Sequence, residues 1–278
     1  YVETFTLTGT YAGTYAIVTS GSVVRIIDVS DPVNIVQTDI ETDGLNGFTE
    51  IDGAHGIDIF TVASNSTATY AIVTAEDDDG VQIIDVSNPS AIVAKGSLTD
   101  NSSLILGDAS HVDTFTIGSS TYAIVVSGAD HGAQIIDVSD PANIVAKDTL
   151  VDTNSLELRG AYAVETFTLT GTYAGTYAIV ASWTDAGVQI IDVSDPANII
   201  ALDAETDGVN GFNVLRSPGH VDVFTIGSST YAIVTAFNDQ GVQIIDVSNP
   251  TDIVAKDTLV DTNSLELIGA HGVDTFTI

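Results

Sequence analysis

The chain has 278 residues, enough to bury a substantial core, and 44% of them are hydrophobic, with Val, Ile, Ala and Thr prominent and Met and Cys absent. Its 38 Asp and Glu against 6 Lys and Arg leave a formal net charge of −32. That excludes nucleic-acid binding, which needs basic groups to displace phosphate counterions, and it disfavours anionic membrane surfaces. With no Cys there is no disulfide framework, and no apolar run reaches the ~18 residues of a membrane span.

Strand signals begin at once. Val2-Glu3-Thr4-Phe5-Thr6-Leu7 alternates in period two, the spacing that puts successive side chains on opposite faces of a strand. Tyr15-Ala16-Ile17-Val18 reads as a second strand, and Ile26-Ile27-Asp28-Val29-Ser30 as a third, closed by Asp31-Pro32. A more polar fourth strand follows. β-Branched side chains suit a pleated surface, and Gly, Asn, Asp and Pro stand where turns are needed.

The same triplet then recurs down the chain. Tyr-Ala-Ile-Val begins again at Tyr70, Tyr122, Tyr177 and Tyr231. The Asp of Ile-Ile-Asp-Val-Ser recurs at Asp85, Asp137, Asp192 and Asp246, at intervals of 57, 52, 55 and 54 residues. The opening pattern occurs six times, at residues 2–7, 57–62, 112–117, 164–169, 221–226 and 273–278. A fixed period of this size marks a repeat architecture. The expectation is a single all-β domain over 1–278, a β-propeller of five four-stranded repeats of about 54 residues: 1–56, 57–111, 112–163, 164–220 and 221–271. A duplicated first strand covers 272–278, and the chain reads as a trimmed product or a piece of a longer array.

Tyr-Ala-Ile-Val followed by Gly-Val-Gln-Ile-Ile-Asp-Val-Ser-Asn-Pro resembles the LVIVD-repeat family of surface and secreted proteins, over all five repeats. The resemblance implies a propeller and an extracellular or cell-surface place. It carries no activity, so no functional residue is transferred from it.

Candidate sites follow from what recurs and what does not. Asp28 and its four counterparts recur in every repeat, which assigns them to turn amides. Glu3, Asp58, Asp113, Glu165, Asp222 and Asp274 recur on the first strand and read first as structural. His55, His111, His220 and His271 precede that strand, with Tyr162 in the fourth place. Together with Asp58, Asp113, Asp222 and Asp274 they form a candidate ring for zinc, calcium or another divalent cation. The turns between second and third strands vary most, and loops on a rigid scaffold are where binding concentrates. There Trp183 and Phe237 are candidate contacts, and Glu76, Asp77, Asp78 and Asp79 form an acidic turn that could hold calcium.

The functional expectation is a non-enzymatic extracellular scaffold or adhesion module of a surface layer or filament. Its partners would be itself, other surface proteins or glycans. Val273, Thr275, Phe276 and Ile278 would donate a strand to a neighbouring copy. The alternative is a glycan-binding or glycoside-hydrolysing propeller. Glycoside chemistry needs two carboxylates in unlike environments, whereas the first-strand acids look nearly identical from repeat to repeat.

Overall fold

The computed structural model describes residues 1–153, 155–262 and 264–276. It is all-β, with the propeller architecture the repeats predict: five four-stranded antiparallel sheets, each built in chain order. The first contains β1 (Val2–Leu7), β2 (Gly13–Ser20), β3 (Val23–Asp28) and β4 (Val36–Thr42). The second contains β5 (Ala54–Val62), β6 (Asn65–Ala75), β7 (Gly80–Asp85) and β8 (Val93–Thr99). The third contains β9 (Ala109–Ile117), β10 (Ser120–Ser127), β11 (Gly132–Asp137) and β12 (Val145–Val151). The fourth contains β13 (Ala161–Leu169), β14 (Gly175–Ser182), β15 (Gly187–Asp192) and β16 (Ile200–Thr206). The fifth contains β17 (Pro218–Ile226), β18 (Ser229–Ala236), β19 (Gly241–Asp246) and β20 (Val254–Val260). Among the described residues, helix is confined to the 3-10 turns Gly9–Tyr11 and Gly171–Tyr173, and none is long and apolar enough to cross a membrane.

The chain divides into two compact units, 1–125 with 134–147, and 126–133 with 148 onward. In the first, Tyr70 and Ile72 of β6 face one core with Phe60, Leu106, Val112 and Val125, while Ala71 and Val73 face another with Phe5, Ile17, Ile26 and Phe48. Both faces of the second sheet are therefore covered, which is why Tyr-Ala-Ile-Val reads as an unbroken apolar run. The second unit has its own core of Phe167, Ile179, Ile190, Phe212, Leu215, Val234 and Ile245.

The recurring Asp has the turn role its position predicts. Oδ1 of Asp28, Asp85, Asp137, Asp192 and Asp246 accepts the N–H of Ser30, Ser87, Ser139, Ser194 and Ser248 at 2.9–3.1 Å. Each Ser Oγ in turn accepts an N–H from the start of the second strand at 2.9–3.0 Å.

A second staple is the Gln of the third strand. Gln82, Gln134, Gln189 and Gln243 are at most 1% exposed. Their Oε1 atoms accept N–H groups of the incoming loops, from Thr49, Ile105, Glu157 and Asn213, at 3.2–3.4 Å. Nε2 of Gln82 donates to the Lys95 and Gly96 carbonyls at 3.2 and 3.1 Å. Replacing Gln82 by Ala strands these groups in a dry interior, so urea unfolding should show a loss of about 1–3 kcal/mol. A loss below about 0.5 kcal/mol would mean the loop is held without it.

The duplicated first strand departs from expectation. Val273, Thr275 and Phe276 form no strand, and Phe276 is 84% exposed; Ile278 lies outside the described residues. What holds the segment is a side chain rather than a ladder: Thr275 N–H donates to Asp222 Oδ2 at 2.5 Å. The same bond runs from Thr114 N–H to Asp58 Oδ2 at 2.8 Å, where a strand does follow.

Candidate functional site

Two clusters stand at the ends of the sheets where the incoming loop meets the turn between second and third strands. One lies in each compact unit, and their contents differ.

In the first unit the β6–β7 turn carries Glu76 to Asp79. Glu76 N–H donates to the Gly53 carbonyl at 3.1 Å. Gly53 has a φ of 66°, and a Cβ there would stand 2.6 Å from the Asp77 nitrogen, so only glycine admits this approach. Asp78 Oδ2 accepts Asp52 N–H and Asp79 Oδ1 accepts Asp108 N–H, both at 2.7 Å. These two acids fasten the incoming loop.

Glu76 is used differently. Its Oε1 stands 3.6 Å from His55 Nε2, with the two side chains 31% and 21% exposed. His55 Nδ1 lies 2.7 Å from the Ser110 carbonyl oxygen. A carbonyl only accepts, so Nδ1 carries a proton and Nε2 is the nitrogen turned to Glu76. The ring of Tyr1 covers His55 at 4.5 Å and His111 at 5.6 Å between centroids. Burial, then the neighbouring charges of Asp108 and Asp77, push the Glu76 carboxyl up to about 7. Asp108 is also raised, by burial first and then by Asp79 and Asp77, with His55 opposing. A carboxyl that titrates near neutrality beside an oriented imidazole is suited to proton transfer.

In the second unit the same turn positions hold Trp183 and Phe237. Their rings are 5.7 Å apart, and Tyr162 lies 5.5 Å from Trp183. Tyr162 Oη stands 3.3 Å from His271 Nε2. Burial lowers the pKa of both His220 and His271.

The candidate metal ring is not assembled. Among the described residues no three His, Asp or Glu side chains gather as a metal ion requires. The reason is register. His111 and His220 stand two residues before their acids, while His55 and His271 stand three before theirs. β5 and β17 have equal length and carry the same irregularity, between Ala54 and Ile57 and between Pro218 and His220. His55 is the second residue of β5 and His220 the third of β17, and a one-residue step sends a side chain to the other face. Asp58 is occupied by backbone, taking Ile59 N–H at 2.7 Å and Thr114 N–H at 2.8 Å. Asp113 likewise accepts Thr114 N–H at 2.9 Å, and Asp222 bonds Val223 and Thr275.

A hydroxyl-lined cleft of Thr168, Thr170, Thr225, Ser228, Thr230 and Ser248 opens at the opposite end of the fourth and fifth sheets, with no titratable side chain in its lining.

Four segments, residues 69–100, 120–153, 173–202 and 228–261, match the LVIVD repeat. The chain contains four LVIVD repeats. The match covers four of the five repeats rather than all of them. The first has Val23-Val24-Arg25 where the others have Gly-Val-Gln or Gly-Ala-Gln, and so lacks the Gln staple. No curated protein matches the chain in sequence.

Solved structures share the propeller fold of these LVIVD repeats at low identity. A functionally unknown protein from Desulfotomaculum acetoxidans superposes with a TM-score of 0.63 at 13% identity, covering 95% of this chain and 73% of that one. The periplasmic gluconolactonase of Pseudomonas aeruginosa gives 0.63 at 10% identity, covering 93% and 68%. An exo-β-1,3-galactanase from Phanerochaete chrysosporium gives 0.50 at 12% identity with galactose present, covering 76% and 50%.

These likenesses correct the expectation of a non-enzymatic scaffold or filament module, because the matched folds include proteins that process sugars. The alternative, a carbohydrate-directed propeller, is the better supported. The scaffold reading leaned on the sameness of the first-strand acids and took Glu76 only as part of an acidic turn that could hold calcium, not as a group for proton transfer.

Proposed function

We propose that this protein processes carbohydrate by hydrolysis, with Glu76 and His55 as the proton-transfer pair and a sugar-derived lactone as the substrate class. The observation that carries the reading is a half-buried carboxyl titrating at about 7, 3.6 Å from an imidazole nitrogen whose tautomer the Ser110 carbonyl fixes. The likeness to a gluconolactonase supports the substrate class. A lactone favours this pair over a glycoside, because ester hydrolysis runs on one proton-transfer centre while glycosidases need two opposed carboxylates.

In the step itself, the pair takes a proton from water as its oxygen bonds to the lactone carbonyl carbon. The ring carbon–oxygen bond then breaks, and the proton passes to the departing oxygen, giving the open hydroxy acid. Asp108 and Asp77 keep the Glu76 proton available near neutrality by opposing its ionisation. The acidic surface and the LVIVD resemblance favour an extracytoplasmic place for this chemistry.

The test is hydrolysis of glucono-δ-lactone, followed by proton release above the spontaneous rate. The base must be unprotonated to act, so kcat/KM should climb through a limb near pH 7. No acceleration over buffer for this and other aldonolactones would overturn the proposal. Turnover of β-1,3-galactan in their place would transfer it to glycosides.

A further inference from the structure

The aromatic cluster of the second unit has no part in proton transfer, yet it is the largest departure from the repeat pattern on the chain. Trp183 and Phe237 open the β14–β15 and β18–β19 turns, where the second and third sheets have Glu76 and Gly128. The second and third sheets have the same four strands without a ring at this position, so the fold itself does not require one. Phe237 is 41% exposed and Trp183 is half-buried. They lie side by side at 5.7 Å, tilted 39°, with Tyr162 behind Trp183 and His271 6.5 Å from it. The cluster is pre-set: Trp183 N–H donates to the Gly160 carbonyl at 2.9 Å and Phe237 N–H to the Ser217 carbonyl at 3.0 Å. No loop movement is needed to present the rings.

We infer that Trp183 and Phe237 form a stacking platform for a neutral hexopyranose, a binding subsite separate from Glu76 and His55. Three features select that occupant. A pyranose presents a flat face of C–H groups that an aromatic ring covers, and a rim of hydroxyls that needs polar partners. The rim here supplies them. Arg216 has a side chain 63% exposed, with Nη1 4.0 Å from Asp239 Oδ1, and Asn238 Nδ2 donates to Ser217 Oγ at 2.7 Å. Asp185 is fixed by Arg159 N–H at 2.8 Å. The second feature is charge: Arg159 and Arg216 offset Asp185 and Asp239 at the rim, which suits a neutral ligand, while the net charge of −32 on the whole chain disfavours phosphorylated or acidic sugars and polynucleotides. The third is size. Two presented rings match one or two sugar units, whereas a stable protein interface buries upward of ~1,000 Å².

The ligand class rests on the carbohydrate reading above; the site does not depend on Glu76. Trp183 is the sole tryptophan, so selectively excited tryptophan emission reports this cluster. The chain should be titrated with galactose, glucose, β-1,3-galactobiose and, as anionic control, glucose 6-phosphate. A saturable change in emission is expected with at least one neutral sugar and none with the phosphate. By calorimetry, Phe237→Ala and Trp183→Ala should each weaken binding about tenfold or more, with circular dichroism confirming that the sheets persist. Glu76→Gln should bind as the parent does. No saturable response to any neutral sugar, or calorimetric binding unchanged in both aromatic variants, overturns the inference. Sugar binding at Trp183 without lactone hydrolysis would sink the hydrolase and leave the platform standing; hydrolysis without binding here would do the reverse.

Discussion

Glu76→Gln should lower kcat on an aldonolactone by about 10²–10⁴-fold, the span of general acid–base contributions, and leave KM nearly unchanged. The amide keeps the shape and hydrogen-bonding reach of the carboxyl but cannot take up a proton. The pH limb near 7 should vanish with it, a readout that a merely structural role would not move. The same substitution should raise stability at pH 8. A folded-state pKa of about 7 against an ordinary 4.5 means the native state holds a proton that the unfolded chain has released. Glu76 therefore weighs nothing against folding below about pH 4.5, and its cost grows as pH rises to about 7. A shift of this size corresponds to about 3 kcal/mol. With the side chain 31% exposed, solvent screening brings that to about 1–2 kcal/mol. Urea titrations at pH 4.5 and pH 8 should show the variant level with the parent at the first and ahead of it at the second. Loss of activity together with a gain of stability is the pattern of a group kept for function. A variant that is less stable at both pH values would make Glu76 a structural partner of His55.

Much of the fold is legible in the sequence. Tyr-Ala-Ile-Val and Ile-Ile-Asp-Val-Ser place the second and third strands, because their alternate residues feed cores on both faces of a sheet. The copies of these motifs at Tyr231 and Asp246 lie in the strands Ser229–Ala236 and Gly241–Asp246. The candidate site was less legible. His55 and His111 look equivalent in sequence, but they are the second residue of β5 and the third of β9, strands of equal length, so one meets Glu76 and the other is 7% exposed beside Tyr1. Spacing to the acid, three residues against two, was the available signal. Gln82 and its counterparts escaped notice because Gln in a strand suggests a solvated face; its recurrence in the same four repeats that match the LVIVD pattern could have marked it as buried. The environment of Glu76 depends on Asp108, which lies 32 positions further along and nears it only through the fold.

Glu50→Ile should stabilise the protein by about 1–3 kcal/mol at pH 8, the cost of leaving a buried polar group unsatisfied. Glu50 is 8% exposed. Its Oε1 accepts from Thr99 Oγ1 at 2.5 Å, while Oε2 is buried and has no hydrogen-bond partner among the described residues. Burial raises its pKa, as do the charges of Asp78 and Asp43, against the opposing bond from Thr99. Glycine at Gly80 makes the room, since a Cβ there would strike Oε2. The second unit repeats the device with Glu157, whose Oε1 takes Thr206 Oγ1 at 2.8 Å and whose Oε2 is equally unpartnered. The chain itself supplies the apolar substitute: the residue before the buried Leu106 is Ile105, and before Leu215 it is Val214, where Glu50 stands before Ile51. Thr99 is exposed, so water satisfies its hydroxyl once Glu50 is gone, and no new orphan is created. Because the folded-state pKa is raised, the advantage should shrink as pH falls through it toward the ordinary carboxylate range, where Glu50 is neutral in both states. Denaturation at pH 8 and pH 4 measures both the gain and its decline. A variant no more stable at pH 8, with the same pH dependence as the parent, would show that Glu50 is satisfied in solution and that its neutral form is not what the fold prefers.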